Sequence, residues 1–238
     1  MIDVFAHRGL HVLERENTLA AFAAAVELGV EGVELDVRRT LDGVLVVHHD
    51  PGVDSRAIAQ SERSALPAYV PTLGEALESL RGVKVNVEIK NGRGASEVFD
   101  EDGELARQVL KTIEESGRAE TVSVSCFDLG TCVYARSFNR GIDVAWLLWD
   151  VAVGDALVQA HLLGLNAVNP HFSTVDDEVV TRARDLHLDV NVWTVNAEED
   201  LERMVALDVA CIITDDPALA REVVRRATRQ ARLDNDLD

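Results

Sequence analysis

Cysteine is scarce in this sequence: the 238 residues include only three, Cys126, Cys132 and Cys211. An odd and sparse set provides no disulfide framework, which fits a reducing compartment, and the spacing matches no zinc site. Cys126 and Cys211 lie in apolar, strand-like runs, so we expect them to be small core residues. A scaffold held together by disulfides is therefore not expected.

Positive charge is also in short supply. The chain carries 23 Lys and Arg against 42 Asp and Glu, which gives a formal net charge of -19. So acidic a surface argues against binding nucleic acid or an anionic membrane through bulk charge. An anionic substrate would need a local positive centre, which a bound cation or a few arginines can supply.

Long apolar runs are missing as well. No stretch reaches the roughly 18–20 residues needed to span a bilayer, and Met1–Ala6 is too short and too acidic for a signal peptide. We therefore expect a cytoplasmic protein without stable membrane insertion. No linker, repeat or low-complexity tract divides the chain, so residues 1–238 are predicted to form a single domain, with an acidic tail after Arg232 that frays.

The sequence does contain a regular alternation of short β-rich runs and amphipathic helical stretches. Thr18–Leu28 is one such helix, because its apolar residues recur at helical spacing, Asn17 or Thr18 can cap its start and Gly29 follows its end. Alternation of this kind predicts parallel strands joined by crossover helices, and the chain length fits a TIM (β/α)8 barrel. The β-rich runs are Ile2–Ala6, Gly32–Val37, Val44–His48, Val83–Ile89, Thr121–Cys126, Asp143–Leu148, Ala167–Asn169, Leu188–Val195 and Cys211–Thr214.

These runs are one more than an eight-stranded barrel needs. Only a short segment, which includes the turn signal Asp42-Gly43, separates Val37 from Val44. Parallel neighbours need a crossover of about a dozen residues or more. The run Val44–His48 is therefore predicted to fold back antiparallel after the second strand, as a short hairpin arm beside the barrel.

The polar residues at the carboxyl ends of the strands are the candidates for chemistry, because the active sites of α/β barrels lie there. Glu34 and Asp36 share one face of the second strand, while apolar residues occupy the other face. Glu88 is placed in the same way in the run Val83–Ile89, and Lys90 follows it. We expect the three carboxylates to converge at the mouth of the barrel.

Converging carboxylates in a partly dry site repel one another, which raises their pKa values, and a hard divalent cation relieves that repulsion. Oxygen ligands favour Mg²⁺ or Ca²⁺ over zinc. A lone carboxylate in a strand is more often solvated or paired with a cation of the chain. The metal site is predicted because the Glu34/Asp36 pair and Glu88 occur together at neighbouring strand ends.

Two histidine segments are predicted at the same end of the barrel. The first strand leads into His7-Arg8-Gly9, where the glycine permits a tight turn and Arg8 can contact two phosphate oxygens at once. The arm ends in His48-His49. Neighbours in an extended strand face opposite ways, so only one of this pair can easily enter the site.

Together, these segments resemble the glycerophosphodiester phosphodiesterases, within the wider group of phospholipase-C-like barrel enzymes. Each segment alone is weakly specific, but they follow the family's order over nearly the whole chain. The matching segments are Ala6-His7-Arg8-Gly9, Glu16-Asn17-Thr18-Leu19-Ala20-Ala21-Phe22, Val33-Glu34-Leu35-Asp36-Val37, Thr40-Leu41-Asp42-Gly43-Val44, Val46-Val47-His48-His49-Asp50-Pro51, Pro71-Thr72-Leu73-Gly74-Glu75-Ala76-Leu77, Val87-Glu88-Ile89-Lys90, Trp193-Thr194-Val195-Asn196 and Ile212-Ile213-Thr214-Asp215-Asp216-Pro217.

The resemblance implies metal-dependent hydrolysis of a small-molecule glycerophosphodiester to glycerol 3-phosphate and an alcohol, with Mg²⁺ or Ca²⁺ as cofactor. It also implies a role for each matching residue. These roles are an acid/base pair of His7 and His49, metal ligands Glu34, Asp36 and Glu88, a phosphate contact from Arg8, Lys90 near the metal and phosphate, and Trp193 in the pocket lining.

The chemistry leaves alternatives open at this stage. One histidine takes a proton from the attacking hydroxyl and the other donates a proton to the leaving alcohol; we assign His7 as the base and His49 as the acid. The nucleophile is either water or the glycerol 2-hydroxyl, which would act through a cyclic phosphate. The alternative activity is that of a lysophospholipase D, which would use the same site on a larger lipid substrate.

Two other classes are disfavoured. A barrel that only binds a ligand would not need every acid, base and metal position that is filled here. An aldolase-type barrel would use Lys90 as a Schiff base, but a lysine so close to a metal carboxylate stays protonated.

Overall fold

The computed structural model describes residues 2–92 and 99–235. The strands within these residues are β1 (Asp3–His7), β2 (Gly32–Arg39), β3 (Leu45–Val47), β4 (Gly52–Val53), β5 (Arg56–Ala57), β6 (Lys84–Ile89), β7 (Val122–Cys126), β8 (Asp143–Leu148), β9 (Ala167–Pro170), β10 (Asp189–Val192) and β11 (Cys211–Thr214). The α-helices are α1 (Leu19–Leu28), α2 (Leu73–Ser79), α3 (Glu104–Glu115), α4 (Leu129–Phe138), α5 (Val153–Leu162), α6 (Asp177–Asp185), α7 (Glu198–Ala206) and α8 (Pro217–Asn235).

Eight parallel strands form a closed barrel. Hydrogen-bonded neighbours follow the order β1, β2, β6, β7, β8, β9, β10 and β11, and β11 pairs with β1 to complete the ring. Buried apolar side chains of the helices join those of the strands in one large core around the barrel. The predicted TIM (β/α)8 barrel is confirmed.

Strand β2 extends beyond its neighbour β6 at the carboxyl end. Its residue Val37 pairs with Ile89, the last residue of β6. The extension Val37–Arg39 pairs antiparallel with β3, and Gly43, with a φ of 82°, lies in the connecting turn. The predicted hairpin arm after the second strand is therefore confirmed.

The chain then remains beside the arm until it reaches α2. We call residues 40–72 the insert, because they lie between a barrel strand and the helix that follows it. Strands β4 and β5 form a second small hairpin within the insert. Two buried side chains of the insert, Leu45 and Val47, belong to the main core. Five others pack into a separate hydrophobic cluster, which consists of Val46, Val53, Ile58, Leu66 and Val70.

Alternation along β2 sorts its side chains between the core and the barrel interior. Val33, Leu35 and Val37 have no exposed surface and belong to the core between strands and helices. Glu34 and Asp36 lie between them in sequence, so they face the interior of the barrel. The two faces predicted from the sequence are thus observed.

Helix α1 begins and ends where the sequence predicts. The Thr18 hydroxyl accepts a hydrogen bond from the Ala21 N–H and so caps the first turn. Gly29, at φ 79°, ends the helix in the left-handed conformation. These caps matter for the site because the loop from β1 packs directly against this helix.

Some boundaries differ from the prediction. The apolar pattern does not predict α4 or α5, because both helices expose apolar residues: Val133 is 38% exposed, Phe138 46% and Leu162 77%. Strand β10 ends at Val192, earlier than the predicted Val195.

The carboxyl-terminal helix α8 continues to Asn235, so the tail does not fray directly after Arg232, and residues 236–238 lie outside the described part of the chain. Among the described residues, no helix has both the length and the apolar character needed to cross a membrane.

Candidate active site

The loop after β1 turns sharply at the carboxyl end of the barrel. Arg8 and Gly9 both have positive φ, at 58° and 82°. A Cβ atom on Gly9 would lie 2.8 Å from the backbone carbon of Ala21, so glycine is needed for this close approach to α1. The turn lets His7 and Arg8 reach the same side, although they are neighbours in sequence.

Three carboxylates converge as the sequence predicts. One oxygen from each of Glu34, Asp36 and Glu88 lies within 4.8 Å of the others. The register of β2 and β6 explains this arrangement, because Asp36 is paired directly with Glu88. Each of the three residues is at least nine-tenths buried, with exposures of 3%, 1% and 8%.

The pKa values of these carboxyls do not all shift the same way. Burial raises the pKa of Glu34 well above its ordinary value, and the charges of Asp36 and Glu88 raise it further. Burial also raises the pKa of Glu88, against the opposing effect of Lys90. The expectation that all three rise is wrong for Asp36: burial acts upward there too, but Lys90 and Arg8 together lower its pKa below the usual range.

Lys90 and Arg8 supply the positive charge at this cluster. Lys90 Nζ lies 2.9 Å from Asp36 Oδ1 and also donates to Glu88 Oε1. Arg8 Nε lies 3.5 Å from Asp36 Oδ2, and Arg8 Nη1 donates to both carboxylate oxygens of Glu16 at 3.0 and 3.1 Å. Arg8 therefore binds the Glu16 carboxylate and also lies next to the buried carboxylate of Asp36.

The cluster fits a hard divalent cation. Glu34 Oε1 is buried and accepts no hydrogen bond from any described residue, which leaves a carboxylate oxygen free to bind a cation. All three groups offer oxygen ligands, the donor set that suits Mg²⁺ and Ca²⁺. Asn17, whose role the sequence did not reveal, donates to Asp36 Oδ2 at 2.7 Å and fixes the orientation of that carboxylate.

A second cluster of polar groups surrounds His7. Asp215, which follows β11, places its Oδ1 2.6 Å from His7 Nδ1 and 2.8 Å from His11 Nε2. Asn196 donates to the other carboxylate oxygen at 2.7 Å. Although burial opposes it, hydrogen bonding from the two histidines holds the pKa of Asp215 well below its usual range.

His49 reaches the site from the insert. Its Nδ1 lies 2.8 Å from Asp50 Oδ1, and Arg38 Nε donates to its backbone carbonyl at 2.9 Å. Burial lowers the pKa of His49, and the charges of Lys90 and Arg8 act in the same direction, whereas Asp36 opposes them. His48 instead has its Nδ1 3.1 Å from the Asp50 carbonyl oxygen.

One cavity of about 180 Å³ brings most of the predicted site together at the carboxyl end of the barrel. Seven of the eight predicted residues line it, and Asp36 is buried beside it. The seven are His7, Arg8, Glu34, His49, Glu88, Lys90 and Trp193. A larger cavity of about 270 Å³ opens at the amino end of the barrel and contains none of them, so we assign the site to the smaller one.

Sequence reasoning missed several residues that support these groups. Asp215 was recognised at a strand end but received no role, because its contact with His7 spans 208 positions. His11 lies in an irregular loop that has no periodicity to interpret. For Asn17 the only signal was its position beside the helix cap.

Comparison with known proteins identifies this arrangement. Residues 7–219 match the sequence model of the glycerophosphoryl diester phosphodiesterase family. A glycerophosphodiester phosphodiesterase of Caldanaerobacter subterraneus subsp. tengcongensis is 31% identical, over 94% of this chain and 98% of its own length.

Solved structures agree with the fold. A glycerophosphodiester phosphodiesterase of Thermotoga maritima superposes with a TM-score of 0.79 at 25% identity, over 94% of this chain and 98% of its own. A phosphodiesterase of Oleispira antarctica, solved in complex with the product sn-glycerol-3-phosphate, gives a TM-score of 0.84 at 21% identity, over 94% of this chain and 97% of its own.

A (β/α)8 barrel with this constellation at its mouth is a phosphoric diester hydrolase. The chain belongs to the glycerophosphoryl diester phosphodiesterase family.

Proposed function

We propose that this enzyme hydrolyses glycerophosphodiesters to glycerol 3-phosphate and an alcohol, with a divalent cation held by Glu34, Asp36 and Glu88. The observation that carries the proposal is the unpaired, buried Glu34 Oε1 within a trio of carboxylates that borders the same cavity as two histidines. Glycerol 3-phosphate as product is supported by the Oleispira antarctica phosphodiesterase, whose structure contains it.

A phosphodiester resists attack because its anionic oxygens repel nucleophiles. A Mg²⁺ or Ca²⁺ ion in the site would supply Lewis-acid neutralisation of charge on the non-bridging oxygens. Arg8 and Lys90 border the cavity and add positive charge on the same side. Trp193 also lines the cavity and limits where the substituents of the phosphate can lie.

His7 is suited to the role of base. Its Nδ1 faces the Asp215 carboxylate, which can only accept a hydrogen bond, so Nδ1 carries the proton and Nε2 is left to accept one. Nε2 lies toward the carboxylate trio, 3.9 Å from Glu34 Oε2. The proton acceptor is thereby directed into the cavity, where water or the glycerol 2-hydroxyl would be activated.

His49 is the proposed acid that protonates the leaving alcohol. Burial lowers its pKa, as do Lys90 and Arg8. An arriving phosphate adds negative charge in front of the ring and favours the imidazolium, which is the form that donates. Protonation of His49 is thus coupled to the presence of an anionic substrate.

The experiment is a product assay with and without metal. The protein is incubated with glycerophosphoethanolamine, glycerophosphocholine or a lysophospholipid after exhaustive chelation, and again after addition of Mg²⁺ or Ca²⁺. We expect metal-dependent release of glycerol 3-phosphate and the free alcohol from the first two substrates. Preferential release of lysophosphatidic acid would favour the lysophospholipase D alternative, and release of a phosphorylated alcohol would mean that the other ester bond is cleaved.

Glu34→Gln is the matched variant for the cation. The amide preserves the size of the side chain but removes the charge of the carboxylate with the unpaired oxygen. We expect it to lose activity at Mg²⁺ or Ca²⁺ concentrations that saturate the unmodified enzyme. Full activity of the chelated enzyme would overturn the metal-dependent mechanism.

A further inference from the structure

Four consecutive barrel strands are each followed by a side chain that carries a ring. Phe127 follows β7, Trp149 follows β8, His171 follows β9 and Trp193 follows β10. The rings contact one another along one side of the barrel mouth. We call these four residues the aromatic wall.

The rings of the wall pack against each other with little space between them. Trp193 meets Phe127 edge to face, with centroids 5.5 Å apart, and meets His171 in the same way at 5.6 Å. Trp149 lies 5.8 Å from both Trp193 and His171. A ligand therefore cannot enter between the rings, and only their outer faces are available.

Those outer faces are open. Trp149 is 59% exposed and Phe127 is 42% exposed. Exposed apolar side chains occur elsewhere on the chain too, but these two rings are in contact with Trp193 beside a cavity, a position typical of a ligand contact. Aromatic residues make up only 5% of the sequence, so their concentration at this position is unusual for the chain.

Hydrogen bonds from two buried or partly buried tryptophans hold the wall in place. Trp193 Nε1 donates to the Asn169 carbonyl at 2.7 Å. Trp146 Nε1 donates to the Phe127 carbonyl at 3.2 Å from beneath the wall. With Trp149, all three tryptophans of the chain serve this one surface. The faces are pre-organised for a ligand, which lowers the cost of binding one.

Part of the wall lines the cavity that contains the proposed catalytic residues. Phe127 and Trp193 line the 180 Å³ cavity together with Arg8 and Lys90. Trp149 does not line this cavity, but its exposed ring contacts Trp193, which does. A phosphate held by Arg8 and Lys90 would share the cavity with the rings of Phe127 and Trp193, so a substituent of that phosphate can lie against them.

The electrostatics of the wall favour a cationic substituent. The face of an aromatic ring is electron-rich and attracts ammonium groups. Among the described residues, no arginine or lysine lies over the rings of Phe127, Trp149 or Trp193; the nearest such contact is Arg203 over Phe172. Exposed Asp150 follows Trp149 directly, and the chain as a whole carries a net charge of -19.

We propose that the aromatic wall binds the alcohol substituent when it carries a quaternary ammonium group, so that choline diesters are the preferred substrates. An acyl chain would be bound better by an extensive aliphatic surface. Among the described residues that line the cavity, Leu147 and Ile213 alone are aliphatic, so the cavity offers little surface of that kind. The inference rests on the proposed function, because it concerns the substituent of the same phosphodiester.

The test compares glycerophosphocholine with its neutral isostere, in which a tert-butyl group replaces the trimethylammonium group. The two substrates have the same shape and differ in charge. For the unmodified enzyme we expect kcat/KM to favour the choline diester about fivefold or more, equivalent to about 1 kcal/mol. Trp149→Leu should bring the ratio close to one, and Trp149→Phe, which keeps a ring, should retain most of it.

Phe138→Leu is the matched control, because Phe138 is an exposed aromatic residue on the outer helix α4, with 46% exposure. It should leave the ratio unchanged. A ratio near one in the unmodified enzyme, with both diesters hydrolysed, would overturn the proposal and leave the proposed function intact. Hydrolysis of neither diester would count against the proposed function itself.

A lysophosphatidylcholine series of increasing chain length completes the test. If kcat/KM rises with chain length and Trp149→Leu abolishes that rise, the wall serves an acyl chain and the proposal is wrong. Independence from chain length, together with the loss of the choline preference in Trp149→Leu, is the expected outcome. Melting temperatures of all variants verify that they are folded.

Discussion

His7 Nδ1 lies 2.6 Å from Asp215 Oδ1, although 208 positions separate the two residues. The closure of the barrel causes this meeting, because β1 and β11 are adjacent and parallel, with Ala6 paired to Thr214. His7, the last residue of β1, and Asp215, the residue after β11, therefore lie side by side. The carboxylate fixes which ring nitrogen of His7 carries the proton, and with it the direction in which the other nitrogen can accept one.

We expect Asp215→Asn to reduce kcat on glycerophosphodiesters by roughly 10²–10⁴-fold, because general acid–base groups contribute that much when correctly placed. An amide can present its oxygen or its N–H to His7, so the ring is no longer held in one tautomer. The melting temperature should change little relative to this loss. Steady-state kinetics and a melting curve on the same variant check the prediction.

His11→Gln is the control for this variant. His11 contacts the same carboxylate oxygen at 2.8 Å but does not line the catalytic cavity. It should retain kcat within a few-fold of the original. An equal loss in both variants would mean that the whole cluster has a structural role.

The two adjacent histidines of the insert should behave differently. His49 lines the cavity, whereas His48 contacts the Asp50 carbonyl. We expect His49→Ala to lose roughly 10²–10⁴-fold in turnover, and His48→Ala to lose little. If His48→Ala is the inactive variant, the assignment of the acid is wrong.

Arg8→Lys should lower turnover by about 10-fold or more, equivalent to about 1.4 kcal/mol of transition-state stabilisation. A guanidinium can contact two phosphate oxygens at once, and an ammonium cannot. The competing explanation is that Arg8 only holds Glu16, which it contacts at 3.0 Å. Glu16→Gln distinguishes the two: a purely structural Arg8 predicts the same loss in both variants, and a phosphate contact predicts a much smaller loss in Glu16→Gln.

Metal binding should stabilise the protein more at high pH than at low pH. Burial raises the pKa of Glu34 well above its ordinary 4.5. Between 4.5 and the raised value, the folded metal-free protein binds more protons than the unfolded chain, so its stability falls as pH rises through that window. A cation requires the ionised carboxylate, so its stabilising effect grows over the same window.

The measurement is the increase in melting temperature on adding Mg²⁺ or Ca²⁺, which we expect to be larger near about pH 8 than near about pH 5. In Glu34→Gln, which has no carboxylate at this position, the difference between the two pH values should shrink. An equal increase at both pH values in the unmodified protein would contradict the prediction.

Two glycines with the same φ should differ sharply in tolerance. Gly9 and Gly43 both have φ of 82°, but a Cβ on Gly9 meets the backbone of Ala21 at 2.8 Å, whereas nothing lies within 4 Å of one on Gly43. Gly43→Ala should cost about 1–2 kcal/mol of unfolding free energy from backbone strain alone. Gly9→Ala should cost about 1–3 kcal/mol more, because the backbone must move. Denaturant unfolding of both variants checks the difference, and equal costs would contradict it.

Much of the barrel could be predicted from the sequence, because its buried strands appear there as short apolar runs in which residues of the two faces alternate. The split of Val33, Leu35 and Val37 from Glu34 and Asp36 identified both the strand and the face that carries the carboxylates. The short connection through Asp42-Gly43 identified the antiparallel arm for a geometric reason. In these places a local rule and the overall fold agree.

The rest depended on contacts that no local rule contains. Helices α4 and α5 expose Val133 and Leu162, so their apolar residues do not mark one face. The partnership of His7 with Asp215 requires knowing that the first and last strands are neighbours. The lowered pKa of Asp36 depends on the positions of the charged ends of Lys90 and Arg8. Strand periodicity does not predict the conformations of such long side chains.

The two proposed catalytic histidines lie in two parts of the protein that differ in local stability, the barrel and the insert. His7 is the last residue of the barrel strand β1, while His49 belongs to residues 40–72, which add Leu45 and Val47 to the main core but otherwise rest on a separate cluster of five buried side chains. A region that depends largely on so small a cluster opens more readily than the barrel around it. We therefore expect heat or mild denaturant to inactivate the enzyme while the barrel is still folded. Thermal inactivation would then follow local unfolding of the insert and precede global unfolding.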